Sequence, residues 1–348
     1  MQSYEEYYAK SAEMWMARAL QLARLGAGTV SPNPMVGCVI VHEGKIIGEG
    51  WHKKYGEAHA EVNAVNSVED KSLLPESDVY VTLEPCSHFG KTPPCADLLV
   101  KHQVKKVIIC NVDSNPLVGG KGIAKLKAAG IEVETGILKA EGRTLNKRFF
   151  NAIEKNRPYI ILKWAETADG FIAKENFEAV QISNPLSRRF VHKMRSEEDA
   201  IMVGTNTTRY DNPALNTRFW TGKNPLRIVL DKNLSLPNSL KIFDNSQPTI
   251  CYNLLENKVI ENTSFVKIGE GNLLTNIIQD LTTRKVQSLI VEGGSTLLQG
   301  FIDAKLWDEA IVLKSKKVMQ SGILAPKIEG SFTEISDLDD DKLITIFR

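Results

Sequence analysis

The chain has 348 residues, 43% hydrophobic and 24% charged, which is ordinary for a globular protein and excludes a disordered or collagen-like one. At about 150 residues per domain this length predicts two domains, each able to bury a core. Lysine plus arginine number 43 against 42 aspartate plus glutamate, so no global basic excess exists to hold nucleic acid through its phosphates.

Trp15, Ala19, Leu22 and Leu25 recur at helical spacing. An apolar strand over 36–41, a turn at Glu43-Gly44 and a return over 45–48 predict a hairpin. A helix over 58–68, a strand over 78–83, a helix over 96–102, a strand over 107–110, a helix over 123–129 ended by Gly130 and a strand over 131–135 follow. A hairpin followed by βαβ order predicts a mixed sheet with helices on its faces. A polar stretch that closes with Pro158 precedes a fresh apolar strand over 159–162. The boundary is placed there, giving domains 1–152 and 153–348. The second half predicts strands over 199–204, 226–231, 249–252, 288–292 and 309–313, and a closing strand over 342–347. A helix opens at Asn184-Pro185, where Asn caps and Pro fits the first turn. There is no solenoid repeat.

Five cysteines in a chain this long do not make a disulfide scaffold. No apolar run approaches the ~20 residues of a membrane span, and residues 1–6 show no secretory signal. The expectation is a cytoplasmic protein with no membrane partner.

The sharpest chemical pattern is His59 with Glu61, followed by Cys86 and Cys95. One imidazole and two thiolates make a three-ligand zinc set that leaves the fourth tetrahedral position to water, the catalytic arrangement. Zinc brings the pKa of bound water to about 7. Glu61 is the natural proton carrier, from water to a ring nitrogen and then to a leaving amine. The set matches the His-x-Glu and Pro-Cys-x-x-Cys signature of zinc nucleobase deaminases, with eight residues between the cysteines here instead of two. Residues i and i+2 do not share a helix face, so His59 and Glu61 converge only at a helix N-terminus. The alternative is a structural zinc with His88 as fourth ligand. Asn33, in a Pro-flanked turn, could read a pyrimidine edge or serve the turn alone. His52, His88, Lys91 and Thr92 could hold a phosphorylated sugar or be solvated surface.

Pro32-Asn-Pro-Met-Val-Gly-Cys38, Gly56-Glu-Ala-His-Ala-Glu61, Tyr80-Val-Thr-Leu-Glu-Pro-Cys-Ser-His88, Gly90-Lys-Thr-Pro-Pro-Cys95 and Asp113-Ser-Asn-Pro116 resemble the bifunctional riboflavin-biosynthesis deaminase–reductases of bacteria. The resemblance covers nearly the whole chain. It implies an α/β protein: a cytidine-deaminase-like α/β/α sandwich followed by a dihydrofolate-reductase-like α/β domain. It also implies deamination of a diaminopyrimidinone ribosyl phosphate with zinc, then NADPH reduction of the ribosyl group to ribityl, in a homo-oligomer without nucleic acid.

By itself the second half shows no Gly-x-Gly-x-x-Gly fingerprint. Its local signal is a strand, Gly293-Gly294 and a helix, which presents backbone N–H groups to a cofactor phosphate or is an ordinary turn. By resemblance, Lys163 and Asp169 lie near the reacting sugar and nicotinamide. Arg195, Leu215, Arg218 and Glu292 contact substrate. Ala165, Thr207, Asp211, Gly294, Ser295, Thr296, Leu297, Leu298 and Gly300 hold the cofactor; no single residue establishes a contact to its 2′-phosphate, for which Lys232 and Arg209 are candidates. Two stretches depart from the family: 181–184, which has Gln181 where the family commonly has Trp, and 316–320. The competing functions are a nucleic-acid deaminase of the transfer-RNA type and a zinc-stabilised, non-catalytic binding module.

Overall fold

The structure is a computed structural model that describes residues 4–348 except 90–92, 116–117, 179 and 270. The chain forms two compact units, Met1–Asn156 and Arg157–Arg348. The division falls after 156 rather than 152 because the last helix of the first unit, Lys147–Lys155, packs Phe149 and Phe150 against Leu83 of the same unit.

The first unit runs α1 (Tyr4–Arg24), β1 (Gly37–His42), β2 (Lys45–Trp51), α2 (Ala60–Ser67), β3 (Asp78–Leu83), α3 (Cys95–Lys101), β4 (Lys106–Asn111), α4 (Lys121–Ala128), β5 (Glu132–Thr135), α5 (Lys139–Leu145) and α6 (Lys147–Lys155). Its sheet has the order β2-β1-β3-β4-β5. The β1–β2 hairpin turns at Glu43 and Gly44, whose φ values of 46° and 72° suit a turn that follows the strand twist. The alternation of side chains along each strand builds two cores. Val79, Val81, Val107 and Ile109 meet Ala60, Ala64, Leu99 and Leu126 of α2, α3 and α4. Tyr80, Ile108 and Cys110 meet Met16, Ala19 and Leu22 of α1 on the opposite face. This is the α/β/α sandwich expected. A Cβ on Gly50 would lie 2.3 Å from the Ala64 nitrogen, so this glycine lets α2 lie directly on the hairpin.

The second unit runs β6 (Tyr159–Glu166), β7 (Phe171–Ala173), α7 (Pro185–Glu197), β8 (Ala200–Gly204), α8 (Thr205–Asp211), β9 (Leu226–Leu230), β10 (Thr249–Asn253), β11 (Lys258–Ile260), β12 (Thr263–Lys267), α9 (Leu273–Thr283), β13 (Ser288–Val291), α10 (Ser295–Asp303), β14 (Glu309–Lys314), β15 (Ile323–Leu324), β16 (Phe332–Leu338) and β17 (Asp341–Phe347). Its ten-stranded sheet has the order β11-β12-β10-β9-β8-β13-β6-β14-β17-β16. The strands from β12 to β14 in that order are parallel, and β11, β17 and β16 are antiparallel to their neighbours. Ile160, Leu162 and Trp164 face Ile277, Leu281, Leu298 and Phe301, while Tyr159 and Ile161 face Met194 and Leu215. Both faces are therefore covered, as a parallel sheet requires. Asn184 caps α7 by accepting from the Ser187 N–H at 2.8 Å. No helix among the described residues is long and apolar enough to cross a membrane.

Candidate active sites

In the first unit the ligands come from two helix starts and the end of a strand. His59 is the N-cap of α2, with extended backbone (φ −72°, ψ 167°), and Glu61 is the second helical residue. At this junction the helical step does not yet separate i from i+2, so both side chains turn to the same side. Cys86 follows β3, and Cys95 is the first residue of α3 behind Pro94. The Cys95 N–H donates to Cys86 Sγ at 3.3 Å, and the Ala96 N–H to the Cys86 carbonyl at 3.1 Å, which closes the wide loop between the cysteines. Glu84 anchors the approach to Cys86. Its buried carboxylate accepts from the N–H groups of Gly120 and Gly122, both at 2.9 Å.

His59 Nδ1 lies 3.6 Å from Cys86 Sγ and 3.3 Å from Cys95 Sγ. All three donor atoms lie within 4.8 Å of one another. Tetrahedral zinc with its usual bond lengths puts nitrogen and sulfur about 3.5 Å apart, so the set fits that ion. The charges agree. The Cys95 thiol donates to Cys86, which pushes Cys86 down to about 4 and Cys95 up, and a divalent cation relieves the repulsion that opposes the second thiolate. Burial, then the negative charge at Cys86, raises buried Glu61 to about 7, where a carboxyl both takes and returns protons at neutral pH.

Two expected substrate contacts change character. His52 is 2% exposed, and both of its ring nitrogens are engaged: Nδ1 with the Ala58 carbonyl and Nε2 with Asn33 Nδ2, each at 3.1 Å. Burial lowers its pKa, so the neutral ring donates through Nδ1 and accepts from Asn33. His52 therefore orients Asn33 rather than holding a sugar phosphate. The turn is clamped again by Asn146, which accepts from the Met35 N–H and donates to the Met35 carbonyl, both at 2.8 Å. His88 is exposed and stands outside the three-residue metal group found among the described residues. That removes the four-ligand structural reading built on it. Lys91 and Thr92 lie outside the described residues.

In the second unit the chemistry gathers where parallel strands end, the usual ligand crevice of such sheets. The register pairs Leu162 of β6 with Val291 of β13, which brings Lys163 beside Glu292. Lys163 Nζ is 3.6 Å from Glu292 Oε2, and Arg195 grips the same carboxylate at 2.8 and 2.7 Å. Burial opposes charge on Glu292, yet Arg195 and Lys163 outweigh it and hold the carboxyl at about 2. Burial pushes Lys163 down, against the pull of Glu292.

Next to this cluster opens a cavity of about 1010 Å³ lined by Gly204, Thr207, Arg209, Asp211, Lys232, Gly294, Ser295, Thr296, Leu297 and Gly300, among others. It is large enough for a dinucleotide. Helices α8 and α10 both open onto it behind glycines that offer no capping side chain, which leaves first-turn N–H groups to a ligand. Gly293 has φ 115°, and a Cβ on Gly294 would lie 3.2 Å from Thr207 Oγ1, so this turn needs its glycines. The residues present thus fit a phosphate-bearing cofactor. Ala165, on β6, is not among the lining residues. Leu298 and Leu215 differ from expectation. Both side chains are buried in the two hydrophobic cores, leaving only backbone for any contact. Asp169 is engaged by the 316–320 departure, accepting from the Met319 N–H at 3.1 Å and the Gln320 N–H at 2.8 Å.

Comparison with known proteins decides the family. Residues 9–111 match the cytidine and deoxycytidylate deaminase zinc-binding region, and residues 158–319 match the RibD C-terminal domain. The riboflavin biosynthesis protein RibD of Aquifex aeolicus is 42% identical over 89% of this chain and 88% of its own length. The chain belongs to the RibD family. It is a bifunctional deaminase/reductase of riboflavin biosynthesis, with a zinc-binding deaminase domain and an NADPH-using reductase domain. RibD of Escherichia coli is 36% identical over 89% of both chains. Acinetobacter baumannii RibD superposes with a TM-score of 0.88 at 33% identity, covering 97% of this chain and 99% of that one. A Thermotoga maritima diaminohydroxyphosphoribosylaminopyrimidine deaminase/5-amino-6-(5-phosphoribosylamino)uracil reductase superposes equally well, over 98% and 99%.

Sequence reasoning missed His192 and Arg188. They stand at i+4 and i before the next turn's Arg195 on α7, a spacing that was available to see. Neither is a motif by itself, and only packing reveals that their polar atoms are buried.

Proposed function

We propose that the first unit deaminates 2,5-diamino-6-(ribosylamino)pyrimidin-4-one 5′-phosphate and that the second reduces the product's ribosyl group to ribityl. The observation that carries the first step is the triangle of His59, Cys86 and Cys95 with buried Glu61 beside it. His59, Cys86 and Cys95 would hold zinc, which supplies the Lewis acidity that makes water a nucleophile at neutral pH. Asn33, held by His52, presents its amide to the pyrimidine edge. Glu61 takes a proton from the attacking water and passes it to the ring nitrogen, then takes the second proton from the added hydroxyl as it becomes a carbonyl and passes it to the amine, which leaves as ammonia.

NADPH would supply the hydride for the second step. Gly294, Ser295, Thr296, Leu297, Gly300, Thr207 and Asp211 cradle it through backbone and short side chains, with Arg209 and Lys232 at its 2′-phosphate. Lys163 stands at the sugar, poised by Glu292 and Arg195. Arg195 and Arg218 receive the substrate's phosphate. The enzyme works in the cytoplasm as a homo-oligomer and binds no nucleic acid, in line with its net charge of +1. The deciding experiment incubates the purified chain with the diaminopyrimidinone ribosyl phosphate, with and without NADPH. Ammonia is released in both cases, and NADPH is consumed only after it. Failure to release ammonia from the zinc-loaded protein rejects the assignment.

A further inference from the structure

Helix α7 carries Arg188, His192 and Arg195 at i, i+4 and i+7, a single face of the helix. Arg195 is occupied by Glu292 and by the Asn216 carbonyl. The other two are not. His192 is 3% exposed and its Nδ1 is buried with no hydrogen-bond partner, and the Arg188 Nε is likewise buried and unpartnered. Two orphaned polar atoms on one helix face are costly and point to a ligand that completes them.

Phe219 gathers the rest. Its ring lies 4.9 Å from the His192 ring in an edge-on contact, with the Arg188 guanidinium at 5.6 Å and the Arg218 guanidinium at 4.9 Å. Arg188, Arg195, Arg218 and Lys163 bring four positive charges to this neighbourhood, and Glu292 answers with one negative. His192 faces them as a neutral ring: burial first, then Arg195 and Arg218, pushes it down to about 4. An uncharged donor or acceptor set among guanidinium groups suits a doubly charged, hydrogen-bonding anion better than a carboxylate, because the excess charge exceeds one.

We propose that Arg188 and His192 are positioning residues for the phosphate monoester of the reductase substrate, completing with Arg218 a seat on the α7 face. This rests on the reading of Arg195 and Arg218 as phosphate contacts and adds the two residues that make the seat selective for phosphate. The cofactor's phosphates are the other source of this chemistry, but the cavity that fits the cofactor is lined by neither Arg188 nor His192.

The test uses the full chain and compares the phosphorylated substrate with its dephosphorylated nucleoside. Arg188→Gln and His192→Phe, the latter keeping a ring against Phe219, are expected to raise KM for the phosphorylated substrate about tenfold or more. kcat, the nucleoside's kcat/KM and NADPH binding by fluorescence stay near wild type. His192→Gln, which keeps a polar side chain, recovers part of the loss. Unchanged NADPH binding also shows that the variant unit is folded. Equal losses on both substrates, or weakened NADPH binding with no change in KM, overturn the inference. Arg218→Gln separates the two readings. If it abolishes the phosphate preference while Arg188→Gln and His192→Phe do not, this inference fails alone. If none of the three variants alters the preference, the phosphate reading fails with it.

Discussion

Replacing Glu292 by Gln removes the carboxylate that pairs with both Arg195 and Lys163, whose side chains are 10% and 14% exposed. The carboxyl sits at about 2 against an ordinary value of 4.5. That lowering is worth about 3 kcal/mol of folding free energy at neutral pH. Because the folded-state value lies below the unfolded one, this stabilisation is fully present above about pH 4.5 and is lost as pH falls through about 2. Gln leaves both cations without their carboxylate, which is the same interaction seen from the cations and not a further loss. Urea-dependent hydrogen exchange read on peptides from β6 and β13 isolates the second unit from the first. Glu292→Gln is expected to lower protection there by about 3 kcal/mol at pH 7, with the gap to wild type closing as pH falls from 4.5 toward 2. A gap that stays constant over that range, or one below about 1 kcal/mol at pH 7, refutes the assignment of the stabilisation to the ionised carboxylate.

Cys86→Ser, Cys95→Ser or chelation should remove zinc, measured by elemental analysis, and with it ammonia release, while NADPH still binds. Glu61→Gln should keep the zinc but slow ammonia release by about 10²- to 10⁴-fold, the usual worth of a positioned proton carrier. Lys163→Ala should cut NADPH oxidation and leave ammonia release largely intact; equal loss of both in a folded protein would mean that the two activities share a site. Asn184→Ala removes the cap of α7 and should destabilise the second unit by about 1 kcal/mol in the same exchange experiment.

Most strands of both units could be read from the chain, because buried strands announce themselves as short apolar runs. Asp78–Leu83 is built on the β-branched and aromatic run 79–82 and extends one residue beyond it at each end. The two edge strands of the second unit's ten-stranded sheet escaped. Phe332–Leu338 is exposed along nearly all its length, so no burial alternation marks it, and Lys258–Ile260 has three exposed residues. Helix α6 was overlooked at the domain border, where only its packing on Leu83 assigns it to the first unit.

The His59, Cys86 and Cys95 set, the glutamate beside it and the deaminase half were legible in the sequence itself, because metal chemistry limits the residue types and their spacing shows along the chain. The reductase cluster was decided by tertiary structure. Arg195 and Glu292 are 97 residues apart, and a carboxylate's charge state depends on which cations the fold sets against it. The same holds for His52 and His192. Both are histidines in unremarkable sequence, and what separates them is that one has both ring nitrogens satisfied and the other buries one without a partner.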